Sequence, residues 1–135
     1  MNKNIVIRFV TYWATNIILL SLAYSLYPNA FELGNKNVGV VCAAIFSSFL
    51  LTTLLFIARG LARTRNILTR GRVFMFFYYW GSASFAIWIV ARIADVSGFG
   101  IARYTWAVSL GFVISFIHWC VRQSFKGMKL VQTSN

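Results

Sequence analysis

Four apolar runs, each about as long as a membrane is thick, take up most of this chain. They extend from Phe9 to Tyr27, Val38 to Ala58, Val73 to Ala94 and Ala102 to Val121. A helix needs about 20 residues to cross about 30 Å of hydrocarbon, and each run comes close to that. Lipid offers no partner to a backbone amide, so a run in that solvent must bond its amides internally, as a helix does. The predicted fold is an all-α integral membrane protein: four transmembrane helices, arranged as two repeated helical hairpins in a single domain over residues 1–135. Composition agrees, with mean hydropathy +0.71, 59% hydrophobic residues and 11% charged ones. A soluble domain this small leaves too much surface exposed to hide that apolar content.

The charges orient the helices. Lys3 and Arg8 precede the first helix; Arg59, Arg63, Arg65, Arg70 and Arg72 fill the connector 59–72; Arg122, Lys126 and Lys129 lie in the tail 122–135. In a four-span chain all of these share one side. Lys36, Arg92 and Arg103 share the other with the two acids, Glu32 and Asp95. The positive-inside rule then places both termini and the arginine connector on the cytoplasmic side of the cell membrane. The five connector arginines serve first as topology determinants, and they also attract anionic lipid headgroups in the bilayer. In a soluble chain, a net charge of +11 would suggest nucleic acid. Here the cations sit on short connectors, and nucleic acid is not the expected partner. Behind Lys3 and Arg8, Ala23-Tyr24-Ser25 has the form of a signal-peptidase site, but cutting there would destroy half of one hairpin.

A shift of 67 residues lays Phe9, Tyr12 and Trp13 on Phe76, Tyr79 and Trp80, and Ser48-Phe49 on Ser115-Phe116. The chain thus reads as two copies of one hairpin, related by an axis along the membrane normal. Small residues recur four apart at Gly39, Ala43 and Ser47, at Ser82 and Ala86, and at Ala107, Gly111 and Ser115. Such faces let helix backbones approach closely in lipid. Packing within the bundle is the first use expected of them. A homo-oligomer or a larger membrane complex are the partners they also suit.

Catalytic chemistry is not expected. Both carboxylates fall outside the apolar runs, and the serines and threonines have no acid or base beside them. No phosphate-binding loop, dinucleotide fingerprint or metalloprotease motif occurs, so no enzyme activity, cofactor or metal is predicted. Asn16 is the polar side chain deepest in the first run and is expected to bond a neighbouring helix. His118 stands one turn from Arg122, without spaced metal-ligating partners, and is expected near the interface. Cys42 and Cys120 fall at opposite ends of their helices, more than about 20 Å apart, too far for a disulfide.

Several stretches resemble a known family: Trp88-Ile-Val-Ala-Arg92, Ser97-Gly-Phe-Gly-Ile101, Trp106-Ala-Val-Ser-Leu-Gly111 and Ile117-His-Trp119, with Arg8, Leu26, Pro28 and Gly34 in the first half. These are similar to the four-span phage-holin-like membrane proteins (holin family IV, mycobacterial four-span type). The likeness runs from about Arg8 to Arg122, with the arginine run 59–72 and Asp95 standing where that family commonly has prolines. It implies a small non-catalytic protein that oligomerises in the membrane and permeabilises it. A second likeness, through the Arg8-Phe9 start, the paired hairpins and the basic charge, is to GtrA-like carriers, which implies a carrier or flippase component for a lipid-linked substrate. An accessory subunit of a larger membrane complex is the third class.

Overall fold

In the computed structural model, which describes residues 3–66 and 71–132, the four runs become four long helices. These are α1 (Lys3–Leu26), α2 (Val40–Thr64), α3 (Arg72–Arg92) and α5 (Tyr104–Gln132), with a short β1 (Phe31–Leu33), one turn of helix α4 (Ala94–Ser97) and β2 (Phe99–Ile101) between them. All four long helices have the length and apolarity to cross a membrane. α1 packs along α2 and α3 along α5, and α2 joins the two pairs through α3. The core is a stack of fully buried Leu20, Leu51, Ile87, Val90 and Ile114, closed at one end by Phe99.

The helices outrun the apolar stretches. α1 begins at Lys3, α2 continues six residues past Ala58, and α5 continues far past Val121. Arg, Leu and Ala are strong helix formers, so the end of an apolar run is no reason for a helix to stop. α2 stops at Arg65, where the next residue, Asn66, adopts φ +51°. The expected basic connector 59–72 is therefore mostly helix: Arg59 and Arg63 lie on α2, Arg65 caps it and Arg72 opens α3. Arg70 lies outside the described residues. The expected tail is likewise a continuation of α5 through Gln132, with Arg122 and Lys126 on it.

Each hairpin uses the same contact set. In the first, Trp13 Nε1 donates to the Ile45 carbonyl (3.1 Å), and Phe49 meets Trp13 and Phe9 edge-on at 5.6 and 5.7 Å. In the second, Trp80 Nε1 donates to the Val108 carbonyl (3.0 Å), and Phe112 meets Trp80 and Phe76 at 5.7 and 5.8 Å. The counterpart of Phe49 in space is thus Phe112, not the Phe116 that a uniform shift selects. A four-residue offset is close to one helical turn and keeps the same face.

The small residues divide in their use. Gly111 faces Ser84, where an added Cβ would come within 2.8 Å of the Ser84 nitrogen and 2.9 Å of its Cα. Ala43 fills the space beside Gly98, and Ala86 and Ala107 are buried. Ser82 is only half-buried, and Ser84 takes the close approach instead. Gly39 departs from expectation: it is the exposed N-cap of α2, and a Cβ there would meet nothing within 4 Å. Cys42 is exposed and Cys120 half-buried, both as free thiols.

The end opposite Arg59, Arg63, Arg65 and Arg72 carries a lid that the apolar pattern does not foretell. β1 and β2 pair antiparallel, with Phe31 opposite Ile101 and Leu33 opposite Phe99. Gly34 N–H to the Gly98 carbonyl (2.7 Å) and Ala102 N–H to the Ala30 carbonyl (2.9 Å) extend the ribbon at each end. Ser47 on α2 donates to the Ser97 carbonyl, and Asn35 Nδ2 donates to the Ala94 and Asp95 carbonyls. The ribbon bonds and the buried Ser47–Ser97 bond satisfy connector backbone groups within this end, and the Asn35 bonds fasten its exposed rim. Phe31, Leu33 and Phe99 stay at most 4% exposed and plug this end. Arg92 lies over the Trp88 ring at 5.2 Å rather than pairing with Asp95.

Candidate functional site

Polar side chains scattered through the sequence converge in one line inside the bundle. Arg59 Nη2 donates to His118 Nδ1 (3.1 Å), and His118 Nε2 lies 3.0 Å from Asn16 Oδ1. Asn16 Nδ2 donates to Thr52 Oγ1 (2.9 Å), which donates to the Ser48 carbonyl (2.7 Å). A guanidinium has donors only, so Nδ1 must accept and the ring proton must sit on Nε2. Each link then follows: the proton on Nε2 goes to the amide oxygen, and the amide NH₂ goes to the hydroxyl. The arrangement uses the neutral Nε2–H tautomer of His118, because an imidazolium would turn an N–H against the guanidinium.

Helix spacing places these groups. Ser48, Thr52 and Arg59 fall at i, i+4 and i+11 on one face of α2. From Arg59 to the Ser48 carbonyl the line covers about 16 Å along that helix, about half the hydrocarbon thickness. Asn16 is fully buried and His118 is 4% exposed. His118 therefore faces the interior of the bundle, between Arg59 and Asn16. Tyr12 braces the line: its ring lies 4.0 Å beneath the Arg59 guanidinium and 4.7 Å from the imidazole. A cation over an aromatic face, out of water, is held more firmly than one at an exposed surface.

His118 also forms part of the wall of a cavity of about 460 Å³ at the arginine end, between α2, α3 and α5. Ser115, His118, Arg122 and Lys126 line it from one face of α5, with Arg59 from α2 and Arg72 and Tyr79 from α3. The Arg122 guanidinium rests 5.0 Å over the Tyr79 ring. Leu55, Ala83 and Ile114 end the cavity in the direction of the core. From Lys126 to Ile114 it runs about 18 Å along α5. Among the described residues, no carboxylate lines it. Both acids of the chain, Glu32 and Asp95, belong to the ribbon end, on β1 and α4. Among the described residues, Ser115 Oγ, like Ser48 Oγ, is buried without a hydrogen-bond partner.

Of the residues singled out from sequence, the fold brings Asn16, His118 and Arg59 into the polar line. It brings His118, Ser115, Arg59 and Arg72 into the cavity wall. Arg63 and Arg65 stay exposed and apart from it. Asn16 sits behind His118 and does not reach the cavity. The sequence pattern does not mark Tyr12, Thr52, Tyr79, Arg122 or Lys126 as site residues, and the fold adds them. The available signal was the run Ser115, His118, Arg122, Lys126 at helical spacing on one face of the last helix. Among the described residues, no three His, Cys, Asp or Glu side chains come together to hold a metal ion. No family model, curated protein or solved structure matches this chain.

Proposed function

We propose that this chain is a non-catalytic, multi-pass protein of the cell membrane that works as a one-ended carrier or accessory component, not as a lytic pore. Its two hairpins are copies of one unit, and both termini and the cavity mouth face the cytoplasm. The observation that carries this reading is the asymmetry of the interior. The ribbon end is plugged by Phe31, Leu33 and Phe99, while the arginine end opens into a cationic cavity. A conducting path needs both ends open and a polar lining throughout. The lipid-facing surfaces, with Ile18, Phe85, Phe112 and Phe116 exposed, offer no polar stripe for an assembled pore either. The matched Trp13–Phe49 and Trp80–Phe112 contacts support the repeat, and the stretches that resemble the holin-like family bear on fold more than on lysis.

Proteoliposomes loaded with a self-quenching dye test this directly. The protein is expected to release no more dye than empty vesicles, and its co-expression with a cytoplasmic cell-wall hydrolase is expected to leave cells intact. Rapid release or abrupt lysis overturns the reading. Orientation has its own check, made in a Cys42→Ser, Cys120→Ser background. Lys36→Cys, exposed at the ribbon end, is expected to react with a membrane-impermeant maleimide on whole cells. Arg65→Cys is expected to react only after permeabilisation, and labelling in the reverse order inverts the topology.

A further inference from the structure

We propose that the cavity at the arginine end is a binding site for a phosphate group, presented by the headgroup of an inner-leaflet phospholipid. The assignment deepens the carrier reading and rests on it for a mouth at the inner leaflet. Four cations, Arg59, Arg72, Arg122 and Lys126, surround one cavity without a carboxylate among them. The chain has only two acids to offer, and both belong to the far end. The compensating anion must therefore come from outside the chain. Arg59 and Arg122 are half-buried, where repulsion between uncompensated charges is screened less than in water, and Arg72 and Lys126 stand exposed at the mouth, where they draw an anion in.

The wall suits phosphate in particular. Arg59 is steadied by His118 and the Tyr12 ring, and Arg122 by the Tyr79 ring. A guanidinium fixed in this way presents paired donors that match two phosphate oxygens. The cavity volume of about 460 Å³ lies within the range of small-ligand sites, about 300–1,000 Å³.

The surroundings point to a lipid as the carrier of that phosphate. Phe76 and Trp119 line the cavity and are also 39% and 51% exposed on the outer surface of the bundle, so the wall borders the acyl region. The deep end, at Leu55, Ala83 and Ile114, is apolar. A phosphate would meet the cations at the mouth while the start of an acyl chain lies against the apolar end. A soluble anion would use the cations alone.

Native mass spectrometry of the detergent-purified full chain tests this, with phosphatidylglycerol and phosphatidylcholine offered in equal amounts. One phosphatidylglycerol per chain is expected to be retained in preference. Arg122→Gln with Lys126→Gln is expected to weaken that preference about tenfold for each charge-assisted bond lost. Arg63→Gln with Arg65→Gln, which removes two cations outside the cavity, is expected to keep it. The first pair leaves the Arg59–His118 bond intact. Should that pair fail to fold, Arg72→Gln in the exposed first turn of α3 carries the same test. Equal retention by the cavity variant, or equal loss in the control pair, overturns the site. Inorganic phosphate is the separate arm. If it stabilises the lipid-free protein against heat while phosphatidylglycerol is not retained, the phosphate site stands and its ligand is soluble. Dye leakage with phosphatidylglycerol selectivity intact defeats the carrier reading alone. Absent selectivity without leakage defeats this assignment alone.

Discussion

Gly111→Leu is expected to destabilise the folded bundle by about 3 kcal/mol, the upper part of the range for overpacking a filled core, while leaving the mass of the solubilised particle unchanged. The side chain would be driven into Ser84, whose nitrogen and Cα lie 2.8 and 2.9 Å from the position of the new Cβ. These are backbone atoms, so no rotamer change relieves the clash and α3 must move away from α5. Gly81→Leu is the contrast. A Cβ at Gly81 meets nothing within 4 Å, so the folded chain has room for it. The measurement is reversible unfolding in mixed micelles together with light scattering after size exclusion. A fall in particle mass for Gly111→Leu would move this contact from within the chain to between chains. A mass change for Gly81→Leu would place an oligomer face at Gly81 instead.

Breaking the interior polar line has the second large effect expected. Asn16→Leu removes the acceptor of the His118 Nε2–H and the donor to Thr52. His118→Leu strands the Asn16 oxygen and the Arg59 N–H. Each is expected to cost about 1–2 kcal/mol, because a buried polar group left unpaired keeps its desolvation penalty. Interhelical hydrogen bonds in bilayers contribute about 0.6 kcal/mol on average and up to about 1.7 kcal/mol, which sets the upper end. The double variant removes both members of the pair at once. It should therefore cost about 1 kcal/mol less than the two single effects added together. Strict additivity in that cycle would mean the line is a row of neighbours and not a coupled unit. In the lipid-retention assay, His118→Leu should also weaken phosphatidylglycerol binding, since it frees the guanidinium that His118 steadies.

The arginines show how far local pattern reaches. Their number is plain from spacing along the chain, yet the apolar runs end at Ala58 and begin again at Val73, which leaves Arg59 and Arg72 to a connector by pattern alone. A helix stops where backbone geometry or capping stops it, and Asn66 at φ +51° does this only beyond Arg65. Once Arg59 is helical, it points along the face that carries Thr52 and Ser48, and its partner comes from a residue 59 positions away. Nothing in the 3.6-residue period of either helix encodes that meeting. The same holds for the ribbon. Phe31-Glu-Leu33 and Phe99-Gly-Ile101 are too short to announce themselves as strands, and each becomes one only by bonding the other.

Run length, hydropathy and the lopsided distribution of cations suffice for four membrane-length helices and for most of the positive charge lying on the segments at one end. These are properties of single segments in a solvent that cannot hydrogen-bond, and they do not depend on neighbours. Packing alone decides which small residues touch, that one end is plugged, and that His118 faces Arg59 and Asn16. In lipid, hydrophobicity does not choose between the faces of a helix. Shape and polar complementarity between segments far apart in the chain make that choice, and they exist only once the helices are together.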